Sequence, residues 1–143
     1  MAVKQISVFL ENRPGMLMAM TEVLAENKID MRALSLAETK DFGIARMIVD
    51  DVFQTTTVLR DAGFVNSMTP VVAAAIPDET GGLHSLLRIL SDAGINIEYM
   101  YAFLGGQSDH AYMIFRVEDE KKAEAAFRAN GVHCVSQEEI AAL

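Results

Sequence analysis

Asn12, Arg13, Pro14 and Gly15 stand between an alternating apolar run and a helical pattern, an arrangement suited to holding a small ligand. A glycine there lets another molecule approach the backbone closely. The unpaired amides of a helix N-terminus suit a carboxylate. Asn12 in this loop, and Asp30 just after the helix, could take an ammonium or hydroxyl group. Asp78 and Asn96 hold the corresponding places later in the chain, with amide and carboxylate exchanged. The same four side chains are also what capping and turning would use. Spacing alone leaves both readings open.

Other chemistry is sparsely supplied. Cys134 falls in a short terminal strand pattern with His133 on the opposite face, which reads as structural. His84, His110 and His133 occupy unrelated places and no pair has ligand spacing, so no metal is expected. Asp50-Asp51 and Asp119-Glu120 sit at helix starts, where they favour the helix dipole. No Gly-x4-Gly-Lys-Ser/Thr phosphate loop occurs. Without a nucleophile–base or acid–base set, the chain is expected to be no enzyme and to need no cofactor.

The 143 residues suffice for one ordinary domain or two very small ones. With 51% hydrophobic and 22% charged residues a packed core is expected rather than disorder. The net charge of −8 argues against a nucleic-acid partner. So do central strands that read as Met, Ile and Val rather than exposed aromatics. A lone cysteine suits a reducing compartment. No apolar run reaches membrane-spanning length and the first residues lack the pattern of a signal peptide. A cytoplasmic protein with no membrane partner is therefore expected.

Positioning the loops requires a repeated unit. An offset of 66 lays Gly15 on Gly81, Leu17 on Leu83, Leu24 on Leu90 and Ile29 on Ile95. It also lays Ala45–Ile48 on Ala111–Ile114, whereas Gly63 and Gly131 need an offset of 68. Each copy reads as a strand, a helix, two strands, a helix and a last strand. Ile6, Val8 and Leu10 alternate as in a half-buried strand, and Val72–Ile76 is its more apolar partner. Leu17, Met20, Val23 and Leu24 mark one buried helical face; Leu83, Leu86, Leu87 and Leu90 mark the other. Pro14 suits a first helical turn, and Asp78 or Thr80 could cap. Strand pairs are expected at about 29–38 with 42–50 and 95–104 with 110–117. Second helices should run to Gly63 and Gly131, and short last strands should lie near 64–69 and 132–137. The fold class is thus α+β: two ferredoxin-like βαββαβ units, 1–69 and 70–143 with Pro70 at the join, having antiparallel sheets and helices packed on one face.

The run Leu10-Glu11-Asn12-Arg13-Pro14-Gly15-Met16-Leu17, with Asn27-Lys28-Ile29-Asp30-Met31, resembles the ACT domain family in tandem form. The stretch is similar to the regulatory tail of phosphoglycerate dehydrogenase. Asp78-Glu79-Thr80-Gly81-Gly82-Leu83 with Gly94-Ile95-Asn96-Ile97 looks like a diverged second copy. The resemblance implies amino-acid binding at interfaces between paired ACT units. It carries ligand contacts onto Asn12 and Asp30, and by the repeat onto Asp78 and Asn96. Leu10 and Ile76 stand where that pattern has a histidine, which puts its serine specificity in doubt and points to an apolar or mixed side chain. The candidate ligand set is Leu10, Asn12, Pro14, Gly15, Met16, Leu17 and Asp30, with Ile76, Asp78, Thr80, Gly81, Gly82, Leu83, His84 and Asn96 in the second copy. The expected protein is a free-standing, non-catalytic regulatory module that binds an amino acid. It would act as a homodimer or higher oligomer, with a metabolic enzyme in trans as a further partner. The alternative is a protein-interaction subunit of such an enzyme with no small-molecule ligand. Two sites of unequal affinity, or one working site and one structural relic, are expected, because only the first loop keeps Asn-Arg-Pro-Gly.

Overall fold

The computed structural model describes residues 3–38, 40–103 and 109–143. They form two compact units, Lys4–Thr69 and Pro70–Leu143, with Val3 belonging to the second. The first unit holds β1 (Val3–Glu11), α1 (Met16–Glu26), β2 (Met31–Glu38), β3 (Phe42–Val49), α2 (Val52–Asp61) and the start of β4 (Asn66–Pro77). Its sheet order is β2-β3-β1-β4, with β1–β3 and β2–β3 antiparallel. The second unit holds the rest of β4, then α3 (Gly82–Asp92), β5 (Ile97–Ala102), β6 (His110–Val117), α4 (Glu120–Ala129), β7 (His133–Cys134) and α5 (Gln137–Ala142). Here the order is β5-β6-β4-β7, all antiparallel. Both units are therefore βαββαβ, as the alternation and helical spacing require.

Each core lies between the sheet and its helix pair. Ile6, Val8 and Leu10 of β1 pack with Ala45 and Met47 of β3, and α1 and α2 cover them with Met20, Leu24 and Leu59. The second unit repeats this with Val72, Ala74 and Ile76, Phe115 and Val117, and Leu86, Leu90 and Phe127. Phe115 and Phe127 meet at a ring separation of 5.8 Å. The second helices end as expected: Gly63 (φ 89°) and Gly131 (φ 75°) take the left-handed cap conformation. Asp51 and Asp119 cap the starts of α2 and α4, accepting from the amides of Gln54 (3.0 Å) and Lys122 (3.1 Å).

Four details differ from expectation. Pro70 does not break the chain into two strands; β4 runs through it, since proline fits extended backbone. Residues after Cys134 leave the strand and form α5, closed by a capping box between Ser136 and Glu139. Neither Asp78 nor Thr80 caps α3, and Pro14 precedes α1. Glycines at φ 86° (Gly15) and 84° (Gly81) occupy those caps without a side-chain bond. Finally, the strand register places the two-residue length change before β6. Val8 pairs with Ala45 and Ala74 with Met113, so Ala45 corresponds to Met113 rather than Ala111. A slip of two keeps every side chain on its own face, which is why the 66-residue alignment still looked sound there.

Candidate functional site

In the first unit the loop after β1 and the first turn of α1 overhang the ends of three strands. Leu10 pairs with Gly43, and Gly43 with Glu38, giving the row Leu10–Gly43–Glu38 across β1, β3 and β2 on the helix-bearing face. Gly43 has no side chain, so the middle of that row is a notch. A Cβ there would sit 3.4 Å from Leu36 Cδ1, in contact but occupying the space. The result is a cavity of about 360 Å³ lined by these residues with Glu11, Asn12, Arg13, Met16, Leu17 and Leu36.

Its chemistry is mixed. Leu10, Leu17, Leu36 and Met16 are apolar, and Leu36 is 52% exposed, a cost that an apolar ligand group would relieve. The polar rim is already organised: Asn12 Nδ2 donates to Glu38 Oε2 at 3.0 Å, and Arg13 Nε to Glu11 Oε2 at 2.9 Å. Gly15 at the cap leaves α1 without a side-chain acceptor for its first-turn amides. The rim thus carries both signs of charge, a carboxylate held by an amide at Glu38 and a guanidinium beside the helix start at Arg13, groups that suit the two charges of a zwitterion.

Of the expected first-copy residues, Leu10, Asn12, Met16 and Leu17 line this cavity, and Pro14 and Gly15 lie in the loop above it. Asp30 does not. It follows the far end of the 11-residue α1, about 16 Å from the loop at 1.5 Å rise per residue. There it pairs with Arg32, and its amide donates to Asp50. Within one unit Asn12 and Asp30 cannot share a ligand. Glu11, Arg13, Leu36, Glu38 and Gly43 were missed as lining residues. Glu38 and Gly43 flank the turn that closes β2 onto β3, and only the pairing register brings them beneath the loop.

The second copy is built differently at the same place. Ile76 pairs with Ala111 where Leu10 pairs with Gly43, so the notch is partly filled. Gly82 replaces Met16 and is buried; a Cβ there would lie 3.0 Å from the Pro77 carbonyl and 3.2 Å from Ile76 Cδ1. The start of α3 thus rests directly on β4. Asp78 and Glu79 give the loop only acidic side chains where the first copy has Asn12 and Arg13. Thr80 and Gly81 complete that turn, Leu83 is 40% exposed, and His84 is exposed on α3. Asn96 lies at the other end of α3, in an open hollow beside Asp119, Lys121 and Lys122 at the start of α4.

Cys134 faces the core of its unit, with its thiol pushed up mainly by burial and then by Glu124. His110 pairs with Asp109 (2.9 Å) and His133 with Glu139 (2.6 Å). Among the described residues no three His, Cys, Asp or Glu groups are placed to hold a metal ion, and no helix is long and apolar enough to cross a membrane.

A model of the ACT domain pair matches residues 1–143. Protein BT0572 from Bacteroides thetaiotaomicron is 36% identical in sequence, with a TM-score of 0.92 over 100% of this chain and 98% of that one. The regulatory subunit of aspartate kinase from Thermus thermophilus, in ligand-free form, shares the fold at 18% identity and TM-score 0.69, over 90% of each chain. That from Thermus flavus does so at 16% identity and TM-score 0.61, covering 90% of this chain and 92% of its own. No curated protein matches the chain. ACT domain pairs are regulatory modules that typically bind amino acids. Two βαββαβ units, a glycine-capped loop over an open strand row, and the whole-chain match place this chain in the ACT domain pair family.

Proposed function

We propose that the chain is a non-catalytic regulatory module that binds an aliphatic amino acid in the first unit's cavity. The observation that carries this reading is the juxtaposition of Glu38 and Asn12 with Arg13 and the uncapped start of α1 above a floor of leucines. Glu38, with Asn12, takes the ligand's ammonium group. Arg13 and the first-turn amides take its carboxylate, and the side chain settles over Gly43 against Leu10, Leu17 and Leu36. Each buried methylene contributes about 0.8 kcal/mol, so leucine or isoleucine gains over alanine by up to about 2 kcal/mol. Ligand binding would then shift the balance between two states of a partner, through its different affinity for each. A homodimer, and a metabolic enzyme acting in trans, belong to the same proposal.

A thermal-shift screen of the twenty amino acids against the full chain tests it. Saturation at one hundred times the dissociation constant raises stability by about 2.7 kcal/mol. Aliphatic amino acids should raise the midpoint most, and a flat response at millimolar concentrations would remove the reading's support. One observation favours the second reading, a protein-interaction subunit: Phe9 (47% exposed) and Phe42 (56%) share the sheet face opposite the helices. A flat screen together with co-purification of an enzyme would favour that alternative.

A further inference from the structure

The second unit carries a cavity for which the amino-acid reading has no use. On the sheet face opposite α3 and α4, Tyr112 and His133 flank Ala75 from either side, Tyr112 across β6–β4 and His133 across β4–β7. Neighbouring strands lie about 4.8 Å apart, so the alanine methyl opens a gap of two strand spacings between a phenol and an imidazole. Phe103 extends the row beyond Tyr112, its amide donating to the Tyr112 carbonyl at 3.0 Å and its ring 5.3 Å from the tyrosine ring. His110 lies 6.3 Å from the same tyrosine ring. Helix α5 contributes Glu139 and Ala142 to a cavity of about 540 Å³ over this gap, with further apolar lining from Val135 and Leu143.

The charges decide what this cavity would accept. No lysine or arginine lines it among the described residues. Glu139 is held in place twice, accepting from the Ser136 amide at 3.3 Å through Oε1 and meeting His133 Nε2 at 2.6 Å through Oε2. Those bonds keep its carboxyl below the usual range, that from His133 foremost, so it is ionised at neutral pH. A carboxylate has about four acceptor positions, and two remain for a ligand. A second acid, Asp109, stands against His110, and the chain as a whole is acidic. Phosphate esters and other strong anions find no fixed cation here. A positive group on an apolar body finds a carboxylate, aromatic rings and a methyl floor, the combination that recognises organic cations.

We infer that this face of the second unit binds a small organic cation, with the ammonium between Glu139 and the Tyr112 ring and its apolar body over Ala75. The site shares no residue with the first unit's cavity, so the two can fail independently.

The test uses the full chain and three phenyl probes of opposite or no charge, benzylamine, benzyl alcohol and benzoate, followed by amide chemical shifts. Benzylamine should move the resonances of Tyr112, His133 and Ala142 and saturate at millimolar concentrations. Benzyl alcohol and benzoate should bind at least about tenfold more weakly. Glu139→Gln should weaken benzylamine about tenfold. Because that change also touches the cap of α5, Tyr112→Leu serves as the second variant and should weaken it several-fold with the Ser136–Glu139–His133 bonds intact. Asn12→Ala should leave it unchanged. Equal binding of benzoate, shifts confined to other surfaces, no shift with any probe, or indifference to both variants would overturn the inference.

Discussion

The two loops that lead into α1 and α3 share a backbone and differ in what stands on it. Both put a glycine at the helix cap in the left-handed region, at φ 86° and 84°. After that cap the first unit has Met16, which stands at the edge of an open cavity. The second has Gly82, whose missing Cβ lets the helix start close onto Ile76 and Pro77. Beneath the first loop the strand row has a glycine at its centre; beneath the second it has Ala111. The loop side chains differ in the same sense, Asn12 and Arg13 against Asp78 and Glu79. The frame of the unit and the chemistry of the site are therefore separable. A duplicated unit can keep its glycine turn, which the fold demands, while the side chains on the loop and on the strand row beneath it change.

The two helix starts should differ most at the residue after the cap. Gly82→Met, which gives the second copy the first copy's residue, should cost roughly 2–3 kcal/mol in thermal or urea unfolding. Met16→Ala should cost well under half of that, because the site is open; equal costs would mean the two helix starts are packed alike. Next comes the loop charge. Arg13→Glu, the second copy's choice, should lower amino-acid affinity at least tenfold, about 1.4 kcal/mol by calorimetry. Glu79→Arg should leave it unchanged. A smaller effect is expected at the notch: Gly43→Ala should weaken binding about fivefold, roughly 1 kcal/mol, with little change in melting temperature.

The smallest effect concerns α5, which closes the second unit. Glu139 has a carboxyl held below its usual value of 4.5, first by the hydrogen bond from His133. A depressed folded-state value contributes stability that is present above the unfolded value and lost as pH falls through the folded one. The melting temperature of the native chain should therefore exceed that of His133→Ala by a small margin above pH 4.5, and the margin should shrink as the pH is lowered further. A margin that grows on acidification would contradict the assignment.

Much of the frame could be read from residue order. Period-two runs such as Ile6, Val8 and Leu10, helical spacing such as Leu83, Leu86, Leu87 and Leu90, and glycines 63 and 131 each follow from local geometry. Part of the first cavity's lining could be read for the same reason, because Leu10, Asn12, Met16 and Leu17 lie on one short contiguous stretch. Glu38 and Gly43 were not, since a residue beside a turn looks like a turn residue until pairing fixes what it faces. Asp30 falls outside that cavity because a residue next to a helix in sequence can stand at the end far from the loop. Tyr112 and Phe103 were overlooked when the central strands were read as Met, Ile and Val, although the acidic charge still weighs against a nucleic-acid ligand. The Ser136–Glu139 capping box was a readable signal for α5, hidden by an expectation of strand up to residue 137.

The proposed function requires an amino acid in the first unit's cavity and none at the second unit's matching loop. A crystal structure of the chain grown with a saturating concentration of its best amino acid in the thermal screen tests this most directly. Ligand density is expected over Gly43, with its ammonium group against Glu38 and Asn12 and its carboxylate at Arg13 and the start of α1. Density beside Gly82 and Ile76, with the first cavity empty, would contradict it.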